Sequence, residues 1–160
     1  MTHLVITLSQ TTREDLSTLF HFQRNPQAAY LAAFTSPDSA DQTAYLKKYS
    51  PFLTDPTITM RTIHANGEIA GSIAKFVREN QAEVTYWMDR KWWGQGIATR
   101  ALTQFLALEP SRPLYGRVAC DNYGSQHVLE NCGFVKIGSQ TGFANARQTE
   151  IEEYIYQLLQ

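Results

Sequence analysis

Two glycines one residue apart, Gly94 and Gly96, place the strongest constraint on how this 160-residue chain can fold. A strand-like segment, EVTYWM at residues 83–88, comes before them, and a stretch with helical spacing follows. Glycines at a helix start let backbone N–H groups approach an anion, because no Cβ atom intervenes and the helix dipole favours negative charge. The segment WWGQGIATRAL, residues 92–102, therefore predicts a phosphate-binding turn.

Composition and charge exclude several classes of protein. Hydrophobic content of 43% and charged content of 18% are ordinary for a globular chain, and the length favours one domain over residues 1–160. A net charge of −1 argues against binding to nucleic acid or to an anionic membrane. No apolar run approaches the ~20 residues that span a bilayer, and no signal-peptide pattern opens the sequence. We expect a protein of the cytoplasm, as a monomer or homodimer.

The rest of the chain predicts alternating strands and helices. Strands are expected at residues 4–8, 57–65, 68–77 and 114–119, and another begins at residue 134. Thr11 and Glu14 have the spacing of a capping box that begins a first helix, which ends at Asn25-Pro26. A looser stretch to Pro37, a helix over 38–48 and a short helix over 122–131 complete the pattern. Asn66-Gly67 predicts a type I′ hairpin turn.

The C-terminal segment gives two conflicting signals. The spacing of its apolar residues fits a helical stripe, whereas its content of tyrosine and isoleucine fits a strand; the apolar residues are Ile151, Tyr154, Ile155, Leu158 and Leu159. The pattern alone leaves both structures open.

Three interpretations of the glycine turn can be compared. A Walker loop is excluded, because no Gly-Lys-Ser/Thr follows. A dinucleotide fingerprint has some support from Asp121, which lies just after the next predicted strand, but Thr99 occupies the position of its third glycine. A glycine-rich helix start without any ligand is the third possibility.

Four segments in sequence order carry a more specific signal: EVTYWM, WWGQGIATRAL, VACDNYGS and VLENCGF. Together they resemble the acyl-CoA-binding core of the GNAT superfamily of N-acetyltransferases, and within it the Rim-type branch that includes ribosomal-protein N-acetyltransferases. The close match covers about a third of the chain. One departure is Lys91, where the superfamily usually has Gln or Arg; a lysine keeps a cation near the phosphates.

The resemblance implies an α/β (α+β) fold. GNAT proteins have a mixed, mostly antiparallel sheet of six or seven strands with about four helices, and the fourth and fifth strands splay apart to admit the cofactor arm. Residues 83–88 and 114–119 would form the splayed pair. The same resemblance favours a strand at the C-terminus, against its helical spacing.

The resemblance also implies a reaction, the direct transfer of an acetyl group from acetyl-CoA to a primary amine. Backbone N–H groups of the glycine turn would hold the pyrophosphate; the residues are Trp93, Gly94, Gln95, Gly96, Ile97, Ala98 and Thr99. The pantetheine arm would lie along the strand edge at Trp87, Met88 and Asp89 and contact Asn122 and Ser125.

Two residues of the predicted splayed strand would take part in the chemistry. The backbone N–H of Met88 would polarise the thioester oxygen as negative charge develops. A protonated amine must lose a proton before it attacks, and Glu83 matches a general-base glutamate of part of the superfamily. Alternatively, Glu83 is an exposed carboxylate at a strand end, and water carries the proton.

Ser125 is the residue expected to assist the departing thiolate of coenzyme A. Many superfamily members have a tyrosine four residues before the Gly-Phe pair, but this chain has Leu129 there. Ser125 matches the serine proposed as its substitute in Rim-type members, and would donate a hydrogen bond to the thiolate. Local bonding to the first turn of the helix is the alternative role for Ser125, and the neighbouring Tyr123 is a second candidate donor.

The acceptor is the least determined part of the prediction. Tyr30 and Phe34 lie between the first two predicted helices, where the family builds part of its acceptor pocket; simple packing is the alternative. The amine could belong to a peptide or protein N-terminus or to a small molecule. The scattered histidines and two cysteines support no metal site. A non-catalytic acyl-CoA-binding module and a small nucleotide-linked oxidoreductase remain as alternative functions.

Overall fold

The structure is a computed structural model that describes residues 3–160. Its regular elements are seven strands and five α-helices, with two short 3₁₀ turns at Ser50–Leu53 and Arg90–Trp92. The strands are β1 (Ile6–Gln10), β2 (Thr59–Ala65), β3 (Glu68–Arg78), β4 (Gln81–Met88), β5 (Leu114–Ala119), β6 (Val135–Ala144) and β7 (Thr149–Leu158). The helices are α1 (Arg13–Gln23), α2 (Pro26–Ala32), α3 (Gln42–Tyr49), α4 (Ile97–Leu108) and α5 (Tyr123–Asn131).

All seven strands belong to one sheet in the order β1-β2-β3-β4-β5-β7-β6. Every neighbouring pair is antiparallel except β4 and β5, which run parallel. Helix α4 makes the crossover that a parallel pair requires. The mixed, mostly antiparallel sheet predicted from the sequence is therefore confirmed.

Helices cover both faces of the sheet, so its central strands are apolar on both sides. On one face, Phe105 of α4 and Leu129 of α5 pack in the larger core cluster, which Ile73 of β3 joins. On the other face, Leu16 of α1 packs in a second cluster with Ala74, the next residue of β3. Alternation along β3 thus sends successive side chains into different cores.

Tight hairpins connect β2 to β3 and β3 to β4. Asn66 and Gly67 have φ values of 51° and 81°, as a type I′ turn requires, so that prediction is confirmed. Glu79 and Asn80 form the second turn, with φ values of 51° and 64°.

The predicted capping box of the first helix was wrong by one residue. Thr12 is the capping residue: its Oγ1 accepts from the Asp15 N–H at 3.2 Å, and the Asp15 carboxylate accepts from the Thr12 N–H at 3.0 Å. Thr11 is buried instead, and its hydroxyl accepts a hydrogen bond from Thr62 of β2 at 3.0 Å. Thr11, which the spacing alone would place at the helix cap, is therefore bound to the sheet by a hydrogen bond instead.

The stretch after Asn25-Pro26, expected to be loose, contains helix α2. Asn25 caps this helix by accepting from the Ala28 N–H at 3.0 Å, and Pro26 occupies its first turn. The dipeptide that ends α1 therefore also begins α2, because Asn favours the cap and Pro favours the first helical position. The next helix begins at Gln42 rather than at residue 38, with Asp41 as its cap.

The C-terminal segment is a strand, as the resemblance predicted and against its helical spacing. Strand β7 pairs with β5 on one side and with β6 on the other. Tyr156 and Leu158 are 1% and 7% exposed, so burial follows the two-residue period of a strand. Within residues 3–160, no helix has the length and apolar character that would let it cross a membrane.

Candidate active site

The parallel strands β4 and β5 separate after only two paired positions. Ala82 pairs with Leu114 and Glu83 with Tyr115, and no further β4–β5 pair follows along the described strands. Both strands continue, β4 to Met88 and β5 to its end, so a V-shaped gap opens between them. The predicted splay between the fourth and fifth strands is confirmed.

The backbone of β4 presents free groups to this gap. The Asp89 N–H donates to the Ala70 carbonyl at 2.8 Å, which fixes the hydrogen-bonding phase of the β3–β4 ladder. In an antiparallel pair, alternate residues bond to the partner strand, so Tyr86 and Met88 direct their backbone groups away from β3. The Met88 carbonyl accepts from the Trp93 indole N–H at 3.2 Å. The Met88 N–H therefore faces the open end of the V.

The glycine turn lies next to this end of β4. Gly94 and Gly96 have φ values of 77° and 74°, and a Cβ atom at either position would point into open space. Helix α4 starts at Ile97 with Gly96 as its capping residue, and no side chain caps its first N–H groups. Ile97 is 2% exposed and anchors the turn in the core. The first turn of α4 thus offers free donors beside two glycines, a geometry that fits a pyrophosphate.

Lys91 does not stand free beside the turn. Its ammonium pairs with Glu68 of the β2–β3 hairpin and lies 5.2 Å from the centre of the Trp92 ring. The cation that the sequence predicted near the phosphates is therefore already paired with a carboxylate.

Two predicted cofactor residues occupy the start of α5. The Asn122 carboxamide oxygen accepts from the Ser125 N–H at 3.2 Å, and its Nδ2 donates to the Leu31 carbonyl of α2 at 3.3 Å. Asn122 therefore both caps α5 and ties this helix to α2.

A phenol that the sequence pattern did not indicate contacts Ser125. Tyr86 of β4 places its hydroxyl 2.8 Å from the Ser125 Oγ and 3.2 Å from the Ser125 carbonyl oxygen. Burial raises the pKa of Tyr86 well above its usual range, so the phenol keeps its proton at neutral pH. Alternation along β4 places Tyr86 on the same face as Val84, but only the assembled sheet shows that α5 lies over that face.

A cavity of about 300 Å³ lies beside the V, and residues of both faces of β4 line it. Side chains from α3, β4, β5, β7 and α5 line it, together with the segment that follows α2. Predicted residues that it brings together are Phe34, Trp87, Asn122 and Ser125. The Trp87 indole N–H is buried and finds no hydrogen-bond partner among the described residues. A ligand atom that accepted this hydrogen bond would remove the cost of a buried, unpaired donor.

Glu83 lies at the closed end of the V and is not part of the cavity wall. Its carboxylate is 5% exposed and forms two ion pairs, with the Arg78 Nε at 2.7 Å and the Arg117 Nε at 2.9 Å. The alternative of an exposed carboxylate is therefore wrong. The assignment of Glu83 as a general base stays a prediction.

Two other predicted residues lie away from the cavity. Tyr30 is 52% exposed, and the Arg147 guanidinium lies 3.9 Å from the centre of its ring. Tyr123 is 67% exposed on the first turn of α5. Neither of them lines the cavity, whereas Phe34 and Ser125 do.

Asp121, which suggested a dinucleotide, is committed to a contact within the chain. Arg147 donates two hydrogen bonds to its carboxylate, at 2.8 and 2.7 Å, and these bonds lower the pKa of Asp121. The carboxylate is thereby engaged by an arginine rather than by a ribose. No cluster of three or more potential metal ligands occurs within residues 3–160.

Comparisons with known proteins agree with this geometry. The model of the GNAT acetyltransferase domain family matches residues 6–135. No curated protein sequence matches the chain. Solved structures do match over nearly the whole length, and those described below are all below 25% identity, so they establish the fold alone.

Three similar solved structures are acetyltransferases whose names give different substrates. The microcin C7 self-immunity acetyltransferase MccE, in complex with acetyl-CoA and AMP, is 16% identical, with a TM-score of 0.79 over 97% of this chain and 92% of that one. RimL, a ribosomal L7/L12 alpha-N-protein acetyltransferase in complex with coenzyme A, is 19% identical, with a TM-score of 0.78 over 96% and 94%. Spermidine N-acetyltransferase from Vibrio cholerae, in complex with CoA and spermine, is 20% identical, with a TM-score of 0.75 over 95% of both chains.

The family match settles the enzyme class. An acetyltransferase is the class predicted from the sequence, acetyl-CoA is the cosubstrate of this family, and both predictions are confirmed. The alternatives of an oxidoreductase and of a module without catalysis are wrong at the level of the family. The four motifs, the splayed sheet and the family model lead to one conclusion: this chain belongs to the GNAT family of acetyltransferases.

Proposed function

We propose that the protein is an N-acetyltransferase that moves the acetyl group of acetyl-CoA directly to the primary amine of a peptide or protein N-terminus or of a small molecule. The observation that carries the proposal is the cavity of about 300 Å³, whose wall includes β4 and β5 beside the V together with α3 and the segment after α2. A donor in the V and an amine in the cavity can meet without leaving the protein, as direct transfer requires.

The donor side has a role for each predicted residue. The N–H groups from Trp93 to Thr99 bind the pyrophosphate, and the edge of β4 from Trp87 to Asp89 pairs with the pantetheine arm. The Met88 N–H, which faces the gap, stabilises negative charge on the thioester oxygen. Asn122 contacts the arm from the start of α5.

Ser125 assists the thiolate. The amine nitrogen bonds to the thioester carbon, the carbon–sulfur bond breaks, and the sulfur leaves with the electron pair. A Ser125 hydroxyl in the cavity can donate to that sulfur, while the Tyr86 phenol donates to the Ser125 Oγ. A thiol pKa of ~8.5 makes the thiolate a good leaving group, so hydrogen bonding is sufficient assistance.

The acceptor enters from the side of α1 to α3. Phe34, Tyr45, Tyr49 and Trp87 give the cavity aromatic walls, and its size is at the low end of the ~300–1,000 Å³ range of ligand pockets. This volume admits a single residue or a small amine. Tyr30 remains a candidate only at the rim, because it does not line the cavity.

The similar solved structures support an amine as the acceptor, but they do not select a particular amine. RimL is named for a ribosomal protein, whereas the enzyme from Vibrio cholerae is named for spermidine. We place the protein in the Rim-type branch on its motifs, as one acetyltransferase domain over residues 1–160 that works in the cytoplasm as a monomer or homodimer.

The experiment is an acceptor screen with purified protein and acetyl-CoA, read by the release of free thiol. The panel contains peptides with a free N-terminus, the same peptides with a blocked N-terminus, spermidine and free amino acids. We expect thiol release with an unblocked amine and none with its blocked counterpart. Acetyl-CoA binding without thiol release over the whole panel would contradict amine transfer.

A further inference from the structure

The wall of the cavity contains a carboxylate that the sequence analysis did not single out. Strand β7 places Glu153 opposite Ala119, the last residue of β5, at the open end of the V. Its side chain is 14% exposed and lines the same cavity as Ser125 and Asn122. A partly buried carboxylate on the acceptor side is therefore available where an amine would arrive.

The hydrogen bonding of Glu153 leaves one oxygen free. The Gln140 Nε2 donates to Oε1 at 3.3 Å, and the Arg117 Nη1 lies 3.6 Å from the same oxygen, beyond hydrogen-bonding distance. No hydrogen bond to Oε2 occurs among residues 3–160. Glu83 differs in both respects, because arginines bind both of its oxygens and it does not line the cavity.

Other ionisable groups around the cavity are poorer proton acceptors. Arg117 of β5 and Lys48 of α3 are cations, and burial raises the pKa of Tyr45 of α3 far above its usual range. Asp38, the other carboxylate on the wall, is exposed on the loop before α3, where it accepts from the Ser36 hydroxyl at 2.6 Å. Glu153 is thus the less exposed of the two carboxylates that line the cavity.

We propose that Glu153 is the general base of this enzyme, an assignment that rests on the proposed function. The carboxylate attracts the ammonium group of the acceptor. An N–H bond of that group breaks, its proton passes to Glu153, and the freed electron pair of nitrogen attacks the thioester carbon. The carbon–sulfur bond then breaks, and the sulfur leaves with its electron pair. The nitrogen gives up its second proton to that sulfur, so the amide is neutral and coenzyme A departs as the thiol. Glu153 returns its own proton to water at the mouth of the cavity.

The test compares two nucleophiles that differ in their need for a base. One is the best amine of the acceptor screen, which is mostly protonated at pH 7. The other is hydroxylamine, whose nitrogen is unprotonated at that pH. We expect Glu153→Gln to lower kcat with the amine by roughly 10²- to 10⁴-fold at pH 7. The loss should shrink as the pH rises and free amine accumulates, and the rate with hydroxylamine should stay within a few-fold of the parent.

Two further variants complete the design. Glu152→Gln is the matched control, because Glu152 is the neighbouring residue, is exposed and contacts Ser139 across β6. We expect it to retain the parent rate and pH profile. Glu83→Gln measures the base that the sequence predicted, and we expect it to reduce stability without a loss of rate that higher pH restores.

Three outcomes would overturn the proposal. The first is a Glu153→Gln enzyme with the parent rate and pH profile. The second is an equal loss with amine and hydroxylamine, which would indicate a structural role. The third is a pH-dependent loss in Glu83→Gln instead. A parent enzyme that binds acetyl-CoA but releases no thiol with any amine of the panel would contradict the proposed function itself, a result distinct from these three.

Discussion

The donor side and the acceptor side of the active site are built in different ways. The donor side comes from one continuous stretch, residues 83–134, which contains the end of β4, the glycine turn and the start of α5. The acceptor side combines α3 and the segment after α2 with Glu153 of β7, near the other end of the chain. A phosphate and a thioester are recognised largely by backbone groups, so a local motif is sufficient. An acceptor amine is recognised by side chains that only tertiary packing brings together.

The two ends of the V also differ, in whether their polar groups are paired within the protein. At the closed end, Glu83 and Arg117 form a buried ion pair that holds strands together. At the open end, Met88 and Ser125 leave polar groups facing the gap and the cavity. Satisfied charges thus stabilise the closed end, whereas groups available for a ligand accumulate at the open one.

The largest effect is expected from breaking the closed end with Arg117→Leu. The Glu83 carboxylate, 5% exposed, would keep only Arg78, whose side chain is 50% exposed. Removing one partner of a buried pair costs about 3–5 kcal/mol, and we expect the lower end of that range because Arg78 remains. Denaturation by urea measures the free energy of unfolding.

The matched control for that variant is the double change Arg117→Leu with Glu83→Leu. It removes both members of the pair and should recover most of the lost stability, because the Glu83 carboxylate is no longer left without Arg117; the loss of the ion pair between Arg117 and Glu153 is common to both variants. A loss below about 1 kcal/mol in Arg117→Leu alone would show that the closed end does not depend on this pair.

The next largest effect concerns the donor side and follows Gly96→Val. Acetyl-CoA at about 100 times its Kd should stabilise the parent by about 2.7 kcal/mol, and the variant should lose most of that gain. Valine adds a branched side chain in the open space beside the turn, at a φ of 74° that disfavours it. Thermal unfolding with and without acetyl-CoA measures the difference.

Gly67→Val separates backbone strain from ligand binding in that experiment. Gly67 also has a positive φ and open space around it, but it lies in the β2–β3 hairpin. This variant should be destabilised and yet keep the full gain from acetyl-CoA. An equal gain in Gly96→Val and its parent would place the pyrophosphate elsewhere.

A smaller effect is expected where the donor and acceptor sides meet. Ser125→Ala should lower kcat by about ten- to a hundredfold, or about 1.4–2.7 kcal/mol, because a hydrogen bond to the thiolate is lost. The Kd of acetyl-CoA should change by no more than a few-fold. Steady-state kinetics at saturating acceptor give the rate, and titration gives the affinity.

Two tyrosine variants sharpen the assignment of Ser125. Tyr86→Phe removes the phenol that contacts Ser125 and should lower kcat by less than Ser125→Ala does. Tyr123→Phe should keep the parent rate, because that ring is 67% exposed. If Tyr123→Phe instead lost as much activity as Ser125→Ala is expected to lose, the donor would be Tyr123.

The smallest effect is expected on the rim of the acceptor side, from Asp121→Asn. Arg147 lowers the pKa of Asp121 in the folded protein, so this pair stabilises the fold above the unfolded carboxyl pKa of ~3.9. The contribution is lost as the pH falls through the folded value. Because the carboxylate is 40% exposed, water should limit it to less than about 1 kcal/mol at pH 7.

Urea denaturation of Asp121→Asn and its parent at a series of pH values measures this contribution. The difference between the two proteins should be constant near neutral pH and should vanish in acid. A difference that grew as the pH fell would contradict the direction of the pKa shift.

Local sequence signals predicted several backbone features of the fold well. The hairpin at Asn66-Gly67, β5 and the helix after Gly96 all lie where spacing and turn residues placed them. Each of these features depends on backbone conformations that a few neighbouring residues determine. The motif alone is therefore sufficient to locate the turn and the start of α5.

Errors arose where a residue serves a distant partner. Thr11 had the spacing of a cap, but its hydroxyl accepts from Thr62 of β2. For Glu83 the wrong alternative was an exposed carboxylate, because two arginines surround the side chain, whereas its assignment as a base stays a prediction. Tyr86 gave no signal at all, because its contact is with a helix 39 residues away in sequence.

The sequence by itself determined the family, the glycine turn and most of the strands and helices, although not α2, because these depend on short stretches with strong backbone preferences. Tertiary structure alone decided that the C-terminal segment is a strand, since β5 and β6 supply the hydrogen bonds that its own spacing does not predict. It also decided which carboxylate reaches the cavity. Glu83 and Glu153 are the same residue type on strands of one sheet. Two arginines bind both oxygens of Glu83, whereas Glu153 has an ion pair with Arg117 at one oxygen only, and no hydrogen bond reaches its second oxygen among residues 3–160.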